Sequence, residues 1–393
     1  MRILMAHNRY LQRGGEDLST ESEIELLRQN DISVDFFEKD NLTIAKSGQL
    51  RTALATIWSQ TVYTQVRKLI RERRHDVVHV QNFFPLISPA IYYAAKAEGA
   101  AVVQTVRNFR LTCPGGLFLR EERVCEKCLG KTFPWPGIQH ACYRNSYGGS
   151  GAIASMIAIH HLLGTWQKKI DQYITLTEFG RDKLVEAGFP ASKMIVKPNF
   201  LVSDPGLRKA ERKHFLFVGR LSSEKGMGIL IKAWRQGQIS APLLIVGKGP
   251  QEALWREQAA DLPMIKFLGT KPISEVYDLM GEAMALCFPS LWYETFGRTL
   301  IEAFAVGTPV ISSHIGAMTN VVDEGKTGLF ATPGNVDEWI NAIKQMSNSE
   351  DKRKQMGQQA RAEYEKKYTP QSNFDQLMAI YQQAIKNNKR KNA

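Results

Sequence analysis

Two carboxylates eight residues apart stand out in the run FPSLWYETFGRTLIEAFAVGTPVI, where Glu294 and Glu302 bracket the start of a helix. The pattern predicts a strand ending at Pro289, a loop carrying Glu294, and a helix that begins near Phe296 and carries Glu302. Unsatisfied backbone N–H groups at Phe296 and Gly297 would then point at anything bound there, and such groups favour anionic oxygens. Gly297 would let that ligand approach the backbone closely. A carboxylate supplies strong acceptors for paired hydroxyls, as on a ribose or hexose. On composition alone, two glutamates at this spacing read as solvated helix carboxylates.

The surrounding residues change that reading. Thr-Phe-Gly after Glu294 and Ala-Val-Gly-Thr-Pro after Glu302 make the block similar to the Glu-x7-Glu signature of the family-4 retaining glycosyltransferases. The resemblance extends upstream to FVGRLSSEKG and implies that Arg220 and Lys225 bind a donor diphosphate. The chemistry suits them, because a guanidinium matches phosphate bidentately and an ammonium adds a point charge where a leaving group develops negative charge. It implies further that Glu294 orients the donor sugar with the Phe296 and Gly297 backbone, that Glu302 holds the ribose, and that Gly247 and Gly249 of LLIVGKGP admit the nucleotide base. Gly14 and Gly15 of QRGGED would contact the donor phosphates. The expected cofactor is a UDP- or GDP-sugar, with no divalent metal required for catalysis.

One departure from the family pattern falls in TVRNF, where Arg107 stands in place of a sugar-binding histidine, followed by Asn108. A permanently charged fork suits an anion, so Arg107 is expected to face a ligand, with Asn108 and His79 as further candidate sugar or acceptor contacts. A core histidine satisfied by the protein itself is the bland alternative for His79.

Four of the five cysteines cluster as Cys113, Cys125, Cys128 and Cys142. A Cys-x2-Cys pair with two further cysteines offers ligands for one tetrahedral zinc, and the segment 112–143, rich in Gly and Pro, has few apolar residues with which to build a core. One structural zinc is therefore expected, with an unmetallated or redox-labile cluster as the alternative. Cys287, inside the apolar run MALCFPS, reads as an inert core residue.

The elements that must position these residues alternate. RILMAHN, SVDFFEKD, DVVHVQN, AVVQTV and QYITLT are strand candidates in the first half, with helices near 16–29, 52–73, 88–98 and 178–187. FLFVGRL, PLLIVGKG, MIKFLGT, AMALCFPS, TPVISS and TGLFAT repeat the pattern, with helices near 226–236, 250–260, 273–280 and 297–306, and three more follow near 335–346, 350–366 and 371–387. Such alternation predicts α/β architecture with parallel sheets. Together with the resemblance, which implies a GT-B fold, the expectation is two doubly wound, Rossmann-like domains facing an interdomain cleft. They would span 1–201, on the acceptor side with the insertion 112–143, and 202–372, which binds the nucleotide sugar. A C-terminal helix from 373 would pack back on the first domain and end in a loose basic tail.

The chain has 393 residues and a formal net charge of +12, with 44% hydrophobic and 23% charged residues, which excludes a disordered or fibrous chain. The apolar run 3–6 is too short for a signal peptide and 151–164 too short to span a bilayer, so a cytoplasmic chain is expected. The positive charge and the basic segment VRKLIRERRH (66–75) favour peripheral contact with an anionic membrane. Nucleic acid is not an expected partner, since no recognition motif accompanies the charge. The function expected is transfer of a sugar from a nucleotide-diphosphate sugar to a glycan or lipid-linked acceptor in cell-surface polysaccharide synthesis. A nucleotide-sugar epimerase of the same fold and a zinc-containing nucleic-acid-binding protein are the alternatives.

Overall fold

The computed structural model describes residues 1–11, 14–43, 48–208 and 210–392. They divide into two compact units, one of Met1–Phe118, Cys125–Val202 and Pro370–Ala393, the other of Ser203–Thr369 with Leu119–Val124. Each is built on a six-stranded parallel sheet, the Rossmann-like pair of α/β domains that defines the GT-B fold.

In the first unit the strands are β1 (Arg2–Arg9), β2 (Ser33–Asp40), β3 (Val77–Asn82) and β4 (Ala101–Val106). After a two-stranded antiparallel hairpin, β5 (Leu119–Arg120) and β6 (Arg123–Val124), come β7 (Gln172–Thr175) and β8 (Met194–Val196). The sheet order is β2-β1-β3-β4-β7-β8. The apolar runs of β1 and β3 are buried along nearly their whole length, as expected when helices cover both faces. Alternate residues serve opposite layers. Leu4 and Ala6 pack with Val66, Ile70 and Ile91, whereas Ile3 and Met5 pack with Leu27, Leu377, Ile380 and Tyr381. The last three come from the Pro370–Asn392 helix, which completes the core of the first unit. The chain end is not loose at Asn388: Lys96 Nζ donates to its Oδ1 at 2.7 Å and its own amide donates to Gly99 O at 2.7 Å.

The helix expected over 52–73 is two helices, Gln49–Ile57 and Gln60–Arg73. Trp58 is extended between them, and Ser59 caps the second by accepting from the Val62 N–H. Ser59 is a start signal of the ordinary kind, passed over because the apolar periodicity runs through it. Val66 and Ile70 of this helix lie in the core, so the apolar side of VRKLIRERRH is not available to lipid. Among the described residues no helix is long and apolar enough to cross a membrane.

In the second unit β9 (His214–Val218), β10 (Leu243–Val246), β11 (Ile265–Gly269), β12 (Ala283–Phe288), β13 (Val310–Ser313) and β14 (Gly328–Ala331) assemble in the order β11-β10-β9-β12-β13-β14. Phe215, Phe217, Ile245, Cys287 and Ile311 meet Leu230, Trp234 and Trp339 from the covering helices. Strand order reverses at β9, which lies between β10 and β12, and ligands of open α/β sheets bind at the carboxyl ends of such neighbouring strands.

Candidate functional site

The loops leaving β9 and β12 carry Arg220, Lys225 and Glu294, and the fold brings these loops together. Gly226 has φ +73°, and a Cβ there would lie 1.9 Å from Pro289 O, so only glycine lets the first loop press on the second. The Leu291 N–H, donating to Glu224 O at 2.8 Å, fastens the contact.

Lys225 Nζ reaches Glu294 Oε1 and sits 5.4 Å from the centroid of the Trp292 ring. The same Oε1 accepts from Ser290 Oγ and from Trp292 Nε1, each at 2.9 Å. Glu294 is buried, and its Oε2 takes no donor among the described residues, which leaves acceptor capacity for a ligand hydroxyl. Arg220 is anchored by Nη2 to Glu224 Oε1 at 3.1 Å and Nε to Ser222 Oγ at 3.3 Å, while its side chain is 58% exposed. A guanidinium so held presents charge to solvent without collapsing onto the protein. Ser290, Trp292 and Glu224 were not singled out by sequence reasoning. The readable signal was an indole donor and a hydroxyl two and four residues before a loop glutamate.

Gly297, at φ +84°, caps the Arg298–Ala305 helix, and Phe296 is buried against the Tyr368 ring at 5.9 Å. Glu302 lies in that helix, 7% exposed, accepting from Arg298 Nε at 3.1 Å. Burial raises its pKa from the ordinary value, and Arg298 only partly offsets this. Glu302 shares no hydrogen bond with Glu294, so the two carboxylates are separate features of one strand–loop–helix passage. At the end of β10, a Cβ on Gly247 would fall 1.9 Å from Gly219 O, and one on Gly249 2.3 Å from Leu221 O. Both glycines are therefore demanded by backbone packing of the two strand exits.

In the first unit Gly14 immediately precedes the Gly15–Gln29 helix, and a Cβ on Gly14 or Gly15 would meet nothing within 4 Å. The Gly14 N–H donates to Asp17 Oδ2 at 2.8 Å, and Asp17 in turn bonds buried His7 at 2.8 Å. Asn108 joins this group by donating to Glu16 Oε1 at 3.0 Å and Tyr10 OH at 3.2 Å.

His79 and Arg107 depart from expectation. His79 is wholly buried, its Nδ1 against Tyr381 OH and its Nε2 against Thr105 Oγ1, both at 2.7 Å, so neither nitrogen is left for a sugar. Burial pushes the imidazole down to about 3, and it is neutral. Arg107 is 5% exposed and points into the same network, with Nε to Gln81 Oε1 and Nη1 to Asn199 Oδ1 at 2.8 Å and Nη2 3.5 Å from Glu23 Oε2. Lys197 Nζ completes it at 2.7 Å from Glu23 Oε1, and donates to Asn373 Oδ1 at 3.0 Å. Glu23 was missed. It sits on the helix stripe Thr20, Ile24, Leu27 that faces the core, and a carboxylate on an apolar stripe announces a buried partner. Burial pushes the Glu23 pKa up, but Lys197 and Arg107 outweigh it and hold the carboxyl at about 2. Arg107 is thus a counter-ion of the core.

The zinc expectation finds no support. Among the described residues no group of three or more His, Cys, Asp and Glu is arranged to hold a metal ion, and none of the four cysteines forms a disulfide. Burial, with the neighbouring thiols adding to it, pushes Cys128 up to about 12, and its sulfur lies 3.8 Å from Pro134 O. Apolar packing and a cation hold the segment instead. Phe109 and Phe118 stack at 4.7 Å, and Arg110 lies 4.4 Å from the Phe84 ring centroid while donating to Pro114 O at 2.8 Å.

Comparison with known proteins agrees with the second unit's architecture and with the Glu-x7-Glu resemblance. Residues 41–199 match the glycosyl transferase 4-like domain and residues 203–363 the glycosyl transferases group 1 domain. Each unit of the chain thus resembles one of these two glycosyltransferase domains. It is 31% identical over 171 residues to O-antigen chain mannosyltransferase C of Escherichia coli, covering 42% of this chain and 46% of that one. It is 35% identical over 161 residues to D-rhamnosyltransferase WbpZ of Pseudomonas aeruginosa, covering 40% and 42%. The chain thus matches about half the length of these curated relatives. In fold it is similar to Anabaena HepE in complex with UDP, with a TM-score of 0.70 at 18% identity over 96% of this chain and 99% of that one. The lipopolysaccharide outer core galactosyltransferase WaaB aligns over 100% of both chains, with a TM-score of 0.62 at 16% identity.

Proposed function

We propose that the protein is a retaining glycosyltransferase that moves a sugar from a nucleoside-diphosphate sugar to a glycan or lipid-linked acceptor in cell-surface polysaccharide synthesis. The observation that carries this reading is the convergence of Arg220, Lys225 and Glu294 at the exits of β9 and β12. Two cations of different geometry at one switch point suit a diphosphate. They would neutralise the charge that develops on it as the glycosidic bond breaks, a preorganised electrostatic contribution. Glu294 would exchange part of its contact with Lys225 for sugar hydroxyls, and Glu302 would take the ribose in place of Arg298. The relatives' names, a mannosyltransferase of O-antigen and a rhamnosyltransferase, support the substrate class, and the UDP and UDP-glucose complexes of HepE support the donor class. Peripheral contact with anionic membrane belongs to the same reading, supported by the net charge of +12.

The test is calorimetric titration of UDP and GDP, followed by product analysis with a UDP- or GDP-sugar in the presence and absence of lipid-linked acceptor. Retained anomeric configuration in a transferred sugar supports the reading. A free, epimerised nucleotide sugar formed without acceptor replaces it with the epimerase, and loss of nucleotide binding in Lys225→Ala ties the activity to this site.

A further inference from the structure

The second unit holds a cluster of positive charge that the donor site does not use. Arg212 precedes β9, and Arg353 stands in the first turn of the Glu350–Lys367 helix. Arg212 donates Nη1 to Ala283 O at 2.6 Å and to Thr308 Oγ1 at 2.9 Å, and Nη2 to Gly307 O at 2.6 Å. Arg353 Nη1 donates to Met346 O and to Ser347 O. Neither guanidinium is within ion-pair distance of a carboxylate among the described residues; Glu350, paired with Lys354, feels Arg353 only from further off. Arg353 is 7% exposed, and its buried Nε has no hydrogen-bond partner there. The charges oppose each other: burial, and then the neighbouring Arg353, push Arg212 down to about 10.

Both arginines line a pocket of about 550 Å³ with Leu207, Arg208, Lys354 and Gly357. That volume falls within the range of small-molecule sites. The other charges at its wall are matched: Arg208 with Asp278 at 3.2 Å, Lys354 with Glu350 at 2.7 Å, Glu211 with Lys213 at 3.4 Å. Two cations are left over. Gly357 makes the arrangement feasible, since a Cβ there would fall 2.3 Å from Gly307 O and 3.4 Å from Arg212 Nη2. Carbonyl stapling alone accounts for one guanidinium closing the Val336–Asn348 helix, but not for a second like charge set beside it without a counter-ion.

We propose that this pocket binds a phosphate dianion, carried by a small phosphorylated metabolite or free. A dianion balances two guanidinium charges where a single carboxylate would leave one over, and the Nε–Nη2 edge of Arg353, which takes no acceptor among the described residues, can donate to phosphate oxygens. The pocket shares no residue with the Arg220, Lys225 and Glu294 group, so a ligand there is additional to the donor.

Thermal unfolding tests this with inorganic phosphate and glucose 6-phosphate, each against chloride at matched ionic strength. Wild type and Lys225→Ala should both gain on the order of 3 °C at about ten times Kd. Lys354→Glu, at the exposed rim, should weaken the effect at least tenfold in concentration, and Arg353→Gln should abolish it. Should Arg353→Gln not fold, Lys354→Glu decides. Tighter binding of glucose 6-phosphate supports a phosphorylated metabolite, and equal binding supports free phosphate. No shift beyond the chloride control, a shift lost in Lys225→Ala, or a shift unchanged in Lys354→Glu would overturn the proposal.

Discussion

The two units spend charged side chains in opposite ways on similar sheets. In the first, Glu23, Lys197 and Arg107 are at most 5% exposed and satisfy one another, with the Pro370–Asn392 helix adding Asn373 and Tyr381 to the network. In the second, Arg220 is more than half exposed, and Glu294 keeps one oxygen without a donor among the described residues. A buried, mutually satisfied network holds a domain together, because removing one member strands the others in low dielectric. A group held at the surface with spare hydrogen-bonding capacity is fit to meet a ligand. Residue type does not separate the two cases, and Arg107, which stands where the family places a sugar-binding histidine, belongs to the first.

The largest effects should therefore come from the buried network. Glu23→Gln or Lys197→Met should lower the unfolding free energy by roughly 3 to 5 kcal/mol, measured by denaturant titration, because each strands a buried charge. If either variant is as stable as wild type, the contrast between the units collapses. Arg220→Ala and Lys225→Ala should lose roughly 2 to 4 kcal/mol of transition-state stabilisation in transfer assays while still folding. Wild-type turnover and nucleotide affinity in both would remove the functional half of the contrast.

Acid should act chiefly on the first unit. Glu23, depressed to about 2 from 4.5, adds stability that is present above pH 4.5 and lost as pH falls toward 2. His79, depressed to about 3 from 6.5, adds stability that declines as pH falls below 6.5. Hydrogen exchange between pH 7 and 3 should show β1, β3 and β4 losing protection before β9 and β12; the reverse order would contradict the assignment. Glu302 has the opposite sign, since its raised pKa makes the charged form a cost above its folded pKa. Glu302→Gln should therefore remove this cost at pH 7, with no such effect below pH 4.5, while weakening nucleotide binding. The smallest effect expected is from chelation. With the insertion held by Phe109, Phe118 and Arg110, EDTA should leave the melting temperature unchanged, and a fall would reopen the cysteine cluster as a metal site.

Local chemistry determined much of this protein. Apolar runs bounded by turn residues made the buried strands legible, because a parallel strand covered on both faces must be apolar throughout. The Glu294 block was legible for a similar reason: strand, loop and helix follow within a few residues, so one stretch of chain specifies the geometry around it. Ser59, a cap inside an apparently continuous helical period, shows that such signals can be present and still be overridden in the reading.

What lay beyond the sequence depended on partners distant along it. Glu23 meets Lys197 across 174 residues, His79 meets Tyr381 across 302, and Arg212 stands beside Arg353. Whether an ionisable side chain is a ligand contact or a core counter-ion depends on its burial and on which charge arrives opposite, and both are properties of packing. The cysteines make the same point: their spacing allowed a metal, but only the folded chain determines where the sulfurs point.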